Sequence, residues 1–162
     1  MHRKQFDVVE GQVWHFGSIT EAGQYGDFFL PLMVSDAADL LSDLKDQRHK
    51  LLDEIGNDSL EVASAPFKAE SQGKVLLRLK WKEAQVDSGS VVLFGPDDEP
   101  LTATNQEMQD AIMKVSFSQF SWEYKGRVGT KLVPRKVKLL EFARMGNLDI
   151  PTPEALNVQQ DF

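Results

Sequence analysis

No cysteine occurs among the 162 residues, which excludes disulfides, thiolate metal sites and a cysteine nucleophile, and suits a reducing compartment. Histidine is scarce: His2, His15 and His49 share no metal-ligand spacing, so no zinc site is expected. No stretch approaches the ~20 apolar residues of a membrane span. Residues 1–5 are not followed by an apolar signal core. The expectation is a soluble, cytoplasmic chain that does not meet a membrane. Catalytic signatures are missing too: there is no phosphate-binding loop, no Gly-x-Ser-x-Gly elbow and no histidine pair at metal spacing. The cluster Asp97-Asp98-Glu99 offers carboxylates to a divalent cation, but beside Gly95, Pro96 and Pro100 it reads as a solvated turn. Neither an enzyme nor a cofactor is expected.

What the chain does have is charge of both signs, unevenly placed. The formal total is −7, with 41% hydrophobic and 27% charged residues, ordinary for a globular protein. Residues 68–82 carry five Lys/Arg against one Glu, and residues 113–144 carry eight against two acids. The rest is acidic: −5 over residues 36–61, −7 over 83–112 and −3 over 145–162. Whole-chain charge bears on solubility and steering, whereas binding depends on the local field. A basic strip carrying exposed aromatics is what a protein needs to hold a single nucleic-acid strand by phosphate and base together.

Both basic stretches read as strands. Alternation and β-branched or aromatic content predict strands over residues 6–16, 25–34, 74–82, 90–94, 113–124 and 130–142, with Pro31 marking an edge or bulge in the second. Between the second and third, Leu40, Leu41, Leu44, Leu51, Leu52 and Ile55 recur at helical spacing, and Asp43, Lys45, Asp46 and Lys50 face outward. Ser35 or Asp36 is the expected cap of this helix and Gly56 its end. Residues 57–73 read as a turn and loop, and residues 107–111 as one helical turn. No internal repeat is found. The expected fold is mainly β with one substantial helix (α+β), an OB-fold-like antiparallel barrel of five to six strands over residues 1–144, followed by an acidic tail over 145–162 that contains Pro151 and Pro153.

In residues 74–82, Val75, Leu77, Leu79 and Trp81 fall on one face, and Lys74, Arg78, Lys80 and Lys82 on the other with Leu76. Like charges in a row repel, so a face with four cations and no acid before Glu83 points to a phosphate track; a solvated face is the plainer alternative. In residues 113–124, Met113, Val115 and Phe117 line one face while Phe120, Trp122 and Tyr124 share the other with Lys114, Ser116 and Ser118. Exposed, those rings would stack on bases of any sequence. Trp122 and Tyr124 suit this best because their polar atoms tolerate water. The alternative is a bulge at Ser118 or Gln119 that returns the rings to the core. Lys125, Arg127, Lys131, Arg135, Lys136 and Lys138 would continue a cationic groove, or else pair with the acids of residues 83–112.

The order of these features resembles the OB-fold single-stranded DNA-binding proteins of tailed bacteriophages. The residues that carry the likeness are LRLKWK (77–82), VVLFGPDDEP (91–100) and VSFSQFSWEYKGRVGTKLVPRKVKLLEF (115–142), within residues 6–143. The resemblance implies sequence-independent, non-catalytic binding of single-stranded DNA in phage replication, recombination or repair. It places that binding on Lys74, Arg78, Lys80 and Lys82, and on Trp122, Tyr124, Lys125, Arg127, Lys131 and Lys138. It also implies an acidic tail ending in an aromatic that docks replication proteins, which here would be Asp161-Phe162; three acids in eighteen residues is thin for that role.

Two other functions fit the same residues. One is a small β-barrel whose basic face docks an acidic protein, and the other is an RNA-binding OB domain. The sequence leaves DNA against RNA open, because 2′-hydroxyl recognition depends on geometry. It also leaves oligomeric state open, with a homodimer allowed.

Overall fold

Strand alternation carries through into the computed structural model, which describes residues 5–14, 17–56 and 60–142. The strands are β1 (Gln5–Val13), β2 (Asp27–Val34), β3 (Glu61–Val62), β4 (Phe67–Ala69), β5 (Val75–Lys82), β6 (Val92–Phe94), β7 (Ile112–Tyr124) and β8 (Arg127–Glu141). The helices are α1 (Ala38–Ile55) and the short α2 (Glu83–Asp87), with a 3₁₀ turn at Ser71–Gly73. Five strands form the barrel. Their order is β8-β7-β1-β2-β5, and the ring closes where β5 meets β8 at Leu79 and Leu132. The four seams along that path are antiparallel, and the closing seam is parallel. This is the OB-fold arrangement that the strand count implied, with its long helix placed between the second and third barrel strands.

Period-2 alternation decides what fills the barrel. Leu30, Leu32, Val75, Leu77, Leu79, Met113, Val115, Phe117, Leu132, Val137 and Leu139 are all buried. Trp81 is buried too, its indole stacked on Phe28 with centroids 5.4 Å apart and planes 3° from parallel. Pro31 sits in the interior strand β2, opposite Arg78 of β5. Its carbonyl accepts from the Trp14 N–H just beyond the end of β1, so its missing N–H falls where the β1–β2 ladder has stopped.

Helix α1 packs on β7 and β8 through Leu44, Gln47 and Leu51, while Asp43, Lys45, Asp46 and Lys50 are exposed as the periodicity requires. It ends at Gly56, which adopts the left-handed conformation (φ 65°) that glycine alone takes without cost. Its start differs from expectation. Ala37 occupies the capping position and no side chain caps the helix, because Asp36 is turned to φ 50° ahead of it. Asp39 remains in the first turn, where it suits the helix dipole. Buried Gln119 of β7 ties the helix down by donating to the Leu44 carbonyl and to Gln47 Oε1, both at 3.2 Å.

The region read as a loop contributes the edge strands β3 and β4, which border β8 and β5 respectively. Strand β6 adds to the other stretch of β8, and α2 follows β5 directly; sequence patterning did not signal α2. Residues 107–111 form a turn rather than a helix, anchored by fully buried Met108. No helix among the described residues is long and apolar enough to cross a membrane. The tail, with Asp161 and Phe162, lies outside the described residues.

Candidate nucleic-acid interface

The outer face of β7 holds the aromatic set where alternation put it. Register between β7 and β8 slips between Ser116 and Phe117, because β8 contributes the extra residue Arg135 between the partners Lys136 and Pro134. A bulge on the partner strand leaves the alternation of β7 intact. Met113, Val115, Phe117 and Gln119 therefore all point inward, and Phe120, Trp122 and Tyr124 remain outside. No bulge at Ser118 or Gln119, the expected alternative, interrupts the strand. Phe120 is half-buried against the rim of the core, Trp122 is half-buried, and Tyr124 is 65% exposed.

Trp122 pairs in register with Gly129 of β8, and its indole lies over that glycine: a Cβ built there would stand 2.6 Å from Cζ2. Closure of the barrel sets β5 beside β8, so the outward residues of β5 join the same face. Arg78, Lys80 and Lys131 surround Trp122 in a cavity of about 380 Å³ whose remaining wall is Ser64, Ala65, Pro66 and Thr130. Arg78 is half-buried, while Lys80 and Lys131 are exposed. No acid pairs with these three cations among the described residues. The wall is held from behind by half-buried Arg48 of α1, which donates to Thr130 Oγ1 at 2.9 Å and to the Ala63 carbonyl at 2.6 Å. Burial lowers the Arg48 pKa from its ordinary value.

The other predicted cations are spoken for or lie at the margins. Lys82 pairs with Asp27 across the strands at 2.8 Å, Arg127 with Glu61 at 3.8 Å, and Lys138 with Asp98 at 2.9 Å. Only the last draws on the acidic stretch 83–112 that was expected to supply such partners. The hydrogen bond from Lys138, and then its charge, hold the Asp98 carboxyl below the usual aspartate value. Lys136 stands 5.4 Å from the Phe94 ring centroid, and Lys125 5.2 Å from that of Tyr124. Lys125 and Gly126, both at positive φ, make the two-residue hairpin turn that puts Tyr124 opposite Arg127. Lys74 is half-buried just ahead of β5, away from the Trp122 cavity. Arg135, exposed at the bulge, borders a second cavity together with Phe120.

Of the predicted set, the fold thus gathers Arg78, Lys80, Trp122 and Lys131 in one cavity, with Phe120 and Arg135 farther along the same two strands. The neutral residues Ser64, Ala65, Pro66 and Thr130 were not foreseen, and no sequence signal marks them. The described residues contain no group of three or more His, Asp or Glu placed to hold a metal ion.

The barrel that carries this face has the fold of several solved proteins. The structure superposes on gp2.5, a single-stranded DNA-binding protein encoded by bacteriophage T7, with a TM-score of 0.66 and 11% identity, covering 99% of this chain and 98% of that one. The fold is that of phage single-stranded DNA-binding proteins. A second example is the single-stranded DNA-binding protein of bacteriophage Enc34, with a TM-score of 0.58 and 11% identity over 93% of this chain and 90% of that one. The Enc34 protein in complex with single-stranded DNA matches with a TM-score of 0.61 and 12% identity, over 90% and 89%. No family model matches the sequence, and no curated protein does so either. The phage-type fold is therefore carried here by a sequence with little residue-level likeness to these proteins.

Proposed function

We propose that the protein binds single-stranded DNA without sequence selection and without catalysis, serving phage DNA replication, recombination or repair in the cytoplasm of the host cell. The observation that carries this reading is the convergence of Arg78, Lys80 and Lys131, unpaired with any described acid, on half-buried Trp122. Like charges held together repel unless an anion relieves them, and a phosphate backbone is such an anion. The indole supplies the surface on which a base stacks, worth ~1–3 kcal/mol per base irrespective of its identity. Tyr124, Lys125 and Arg127 at the hairpin tip extend the contact, as do Lys74 just ahead of β5, Lys82 at its end, and Arg135, Lys136 and Lys138 on β8. The likeness in fold to a phage protein solved with single-stranded DNA supports the same assignment. Asp161 and Phe162 are proposed to dock replication proteins.

Fluorescence-anisotropy titration of a labelled mixed-sequence single strand, with duplex competitor and a salt series, tests the reading. Binding should prefer the single strand, ignore sequence and weaken with salt by about 0.7 log units per log unit of salt for each phosphate contact. Absence of binding at low salt would overturn it and leave the basic face as a docking surface for an acidic protein. An RNA strand of the same sequence, titrated in parallel, separates DNA from RNA preference.

A further inference from the structure

Beyond the Trp122 cavity, the outer face of β7 and β8 opens into a larger hollow of about 720 Å³. Its floor is Phe120, Val133 and Pro134, and its far wall comes from α2 and the turn after it through Gln85, Gly89 and Ser90. Ser118 and Arg135 complete the lining. The chemistry differs from that beside Trp122: one cation instead of three, an aromatic and aliphatic floor, and hydroxyl and carboxamide groups at the sides.

We infer that this hollow is a base pocket, which takes one nucleobase of the bound single strand against Phe120 and sets the adjoining phosphate beside Arg135. The inference rests on the single-strand reading above. Three observations select a base as the occupant. The hollow is continuous with the proposed track, since Phe120 and Trp122 are two residues apart on the same face of β7. At ~3.3 Å per residue the two rings stand ~7 Å apart along the strand. That is about twice the 3.4 Å spacing of one strand of a duplex, so neighbouring bases reaching the two rings must unstack from each other and enter separate hollows. The walls also suit any base edge. The Ser90 hydroxyl on the wall lies 2.9 Å from that of Ser88 behind it, with either able to donate, and a hydroxyl offers both a donor and acceptors. The Gln85 Oε1 is already engaged by the Lys82 N–H, which holds the side chain in place and leaves its amide group as the donor. Such walls give affinity without sequence selection, in keeping with the proposed binding.

Helix α2, which the barrel itself does not require, walls the hollow together with the 88–90 turn, and Ser118 is buried there despite facing outward.

A thymidylate strand carrying 5-iodouracil, crosslinked to the wild-type protein by near-ultraviolet light and mapped by tandem mass spectrometry, tests the pocket directly. Adducts at Phe120 in addition to Trp122 or Tyr124 are expected. Adducts confined to Trp122 and Tyr124 overturn the pocket while leaving single-strand binding intact. If the wild-type protein retains no strand at all, the single-strand reading fails and the pocket with it. Filling the hollow by Ser90→Trp should weaken binding of the thymidylate strand about tenfold, one base's share of stacking, and leave binding of a base-free abasic strand of equal length unchanged. Equal losses on both strands, or none on either, overturn the proposal. Should that variant not fold, the adduct map on the wild-type protein decides alone.

Discussion

Trp122 and Gly129 face each other across the β7–β8 hairpin so closely that the indole occupies the space a side chain at 129 would need: Cζ2 and Cε2 stand 2.6 and 2.8 Å from the position of a Cβ. The glycine is therefore part of the aromatic platform. It lets the ring lie down against the sheet, half-buried, with Arg78, Lys80 and Lys131 around it.

Gly129→Ala should displace the indole and weaken single-strand binding about as much as Trp122→Ala, by about five- to a hundredfold for one lost stacking surface. It should also cost ~1–3 kcal/mol of stability through overpacking. Anisotropy titration gives the first quantity and chemical denaturation the second. Unchanged affinity in both variants would show that no base stacks on Trp122.

Neutralising the central cations should lower the salt dependence stepwise. Lys80→Gln and Lys131→Gln should each reduce the slope of log affinity against log salt by about 0.7. Lys82→Gln should do less, since its charge is shared with Asp27. Equal slopes for all three would mean that the ion pair does not compete with phosphate.

The Lys138–Asp98 contact makes a prediction about pH. A carboxyl held below its unfolded value contributes stability that is present above that unfolded value and is lost as pH falls through the folded one. Asp98 should thus titrate at a lower pH than an ordinary aspartate, and Lys138→Met should return it to the usual range. Asp98 is largely in water, so the thermal midpoint should barely respond. Carboxyl chemical shifts followed through an acid titration check the first statement, and melting curves the second.

Arg48→Met should loosen the wall of the Trp122 cavity from behind. It removes the donors to Thr130 Oγ1 and the Ala63 carbonyl, and hydrogen bonds from a charged group each contribute about 1.5–3 kcal/mol. A stability loss of ~3 kcal/mol, the lower bound for two such bonds, is expected by denaturation, with faster amide exchange in residues 61–65. Binding should weaken less than for Trp122→Ala, because Arg48 touches the wall and not the ring.

Much of the barrel was legible in the chain, and the reason is that alternation is a local property. Val75, Leu77, Leu79 and Trp81 can fill a core only if Arg78 and Lys80 point to water, and the same logic places Trp122 outside once Phe117 is inside. The 18-residue helix announced itself by its leucine spacing and its terminal Gly56. Its start was harder to read, because a capping side chain depends on one backbone angle at Asp36. Strands β3 and β4 were missed, being two and three residues long. Segments so short carry no period; they are strands only because β8 and β5 offer free edges beside them.

The sequence alone determined which side chains face outward and that a basic, aromatic face exists, because the two-residue period of a strand and the sign of a charge need no partner. Which cations act together was decided by tertiary structure. The 13 predicted binding residues are spread over residues 74–138, and nothing in their spacing says that Arg78 and Lys80 meet Lys131 and Trp122, or that Lys138 is taken by Asp98. That follows from the parallel closure at Leu79 and Leu132, a contact between residues 53 apart in the chain whose formation depends on the whole barrel.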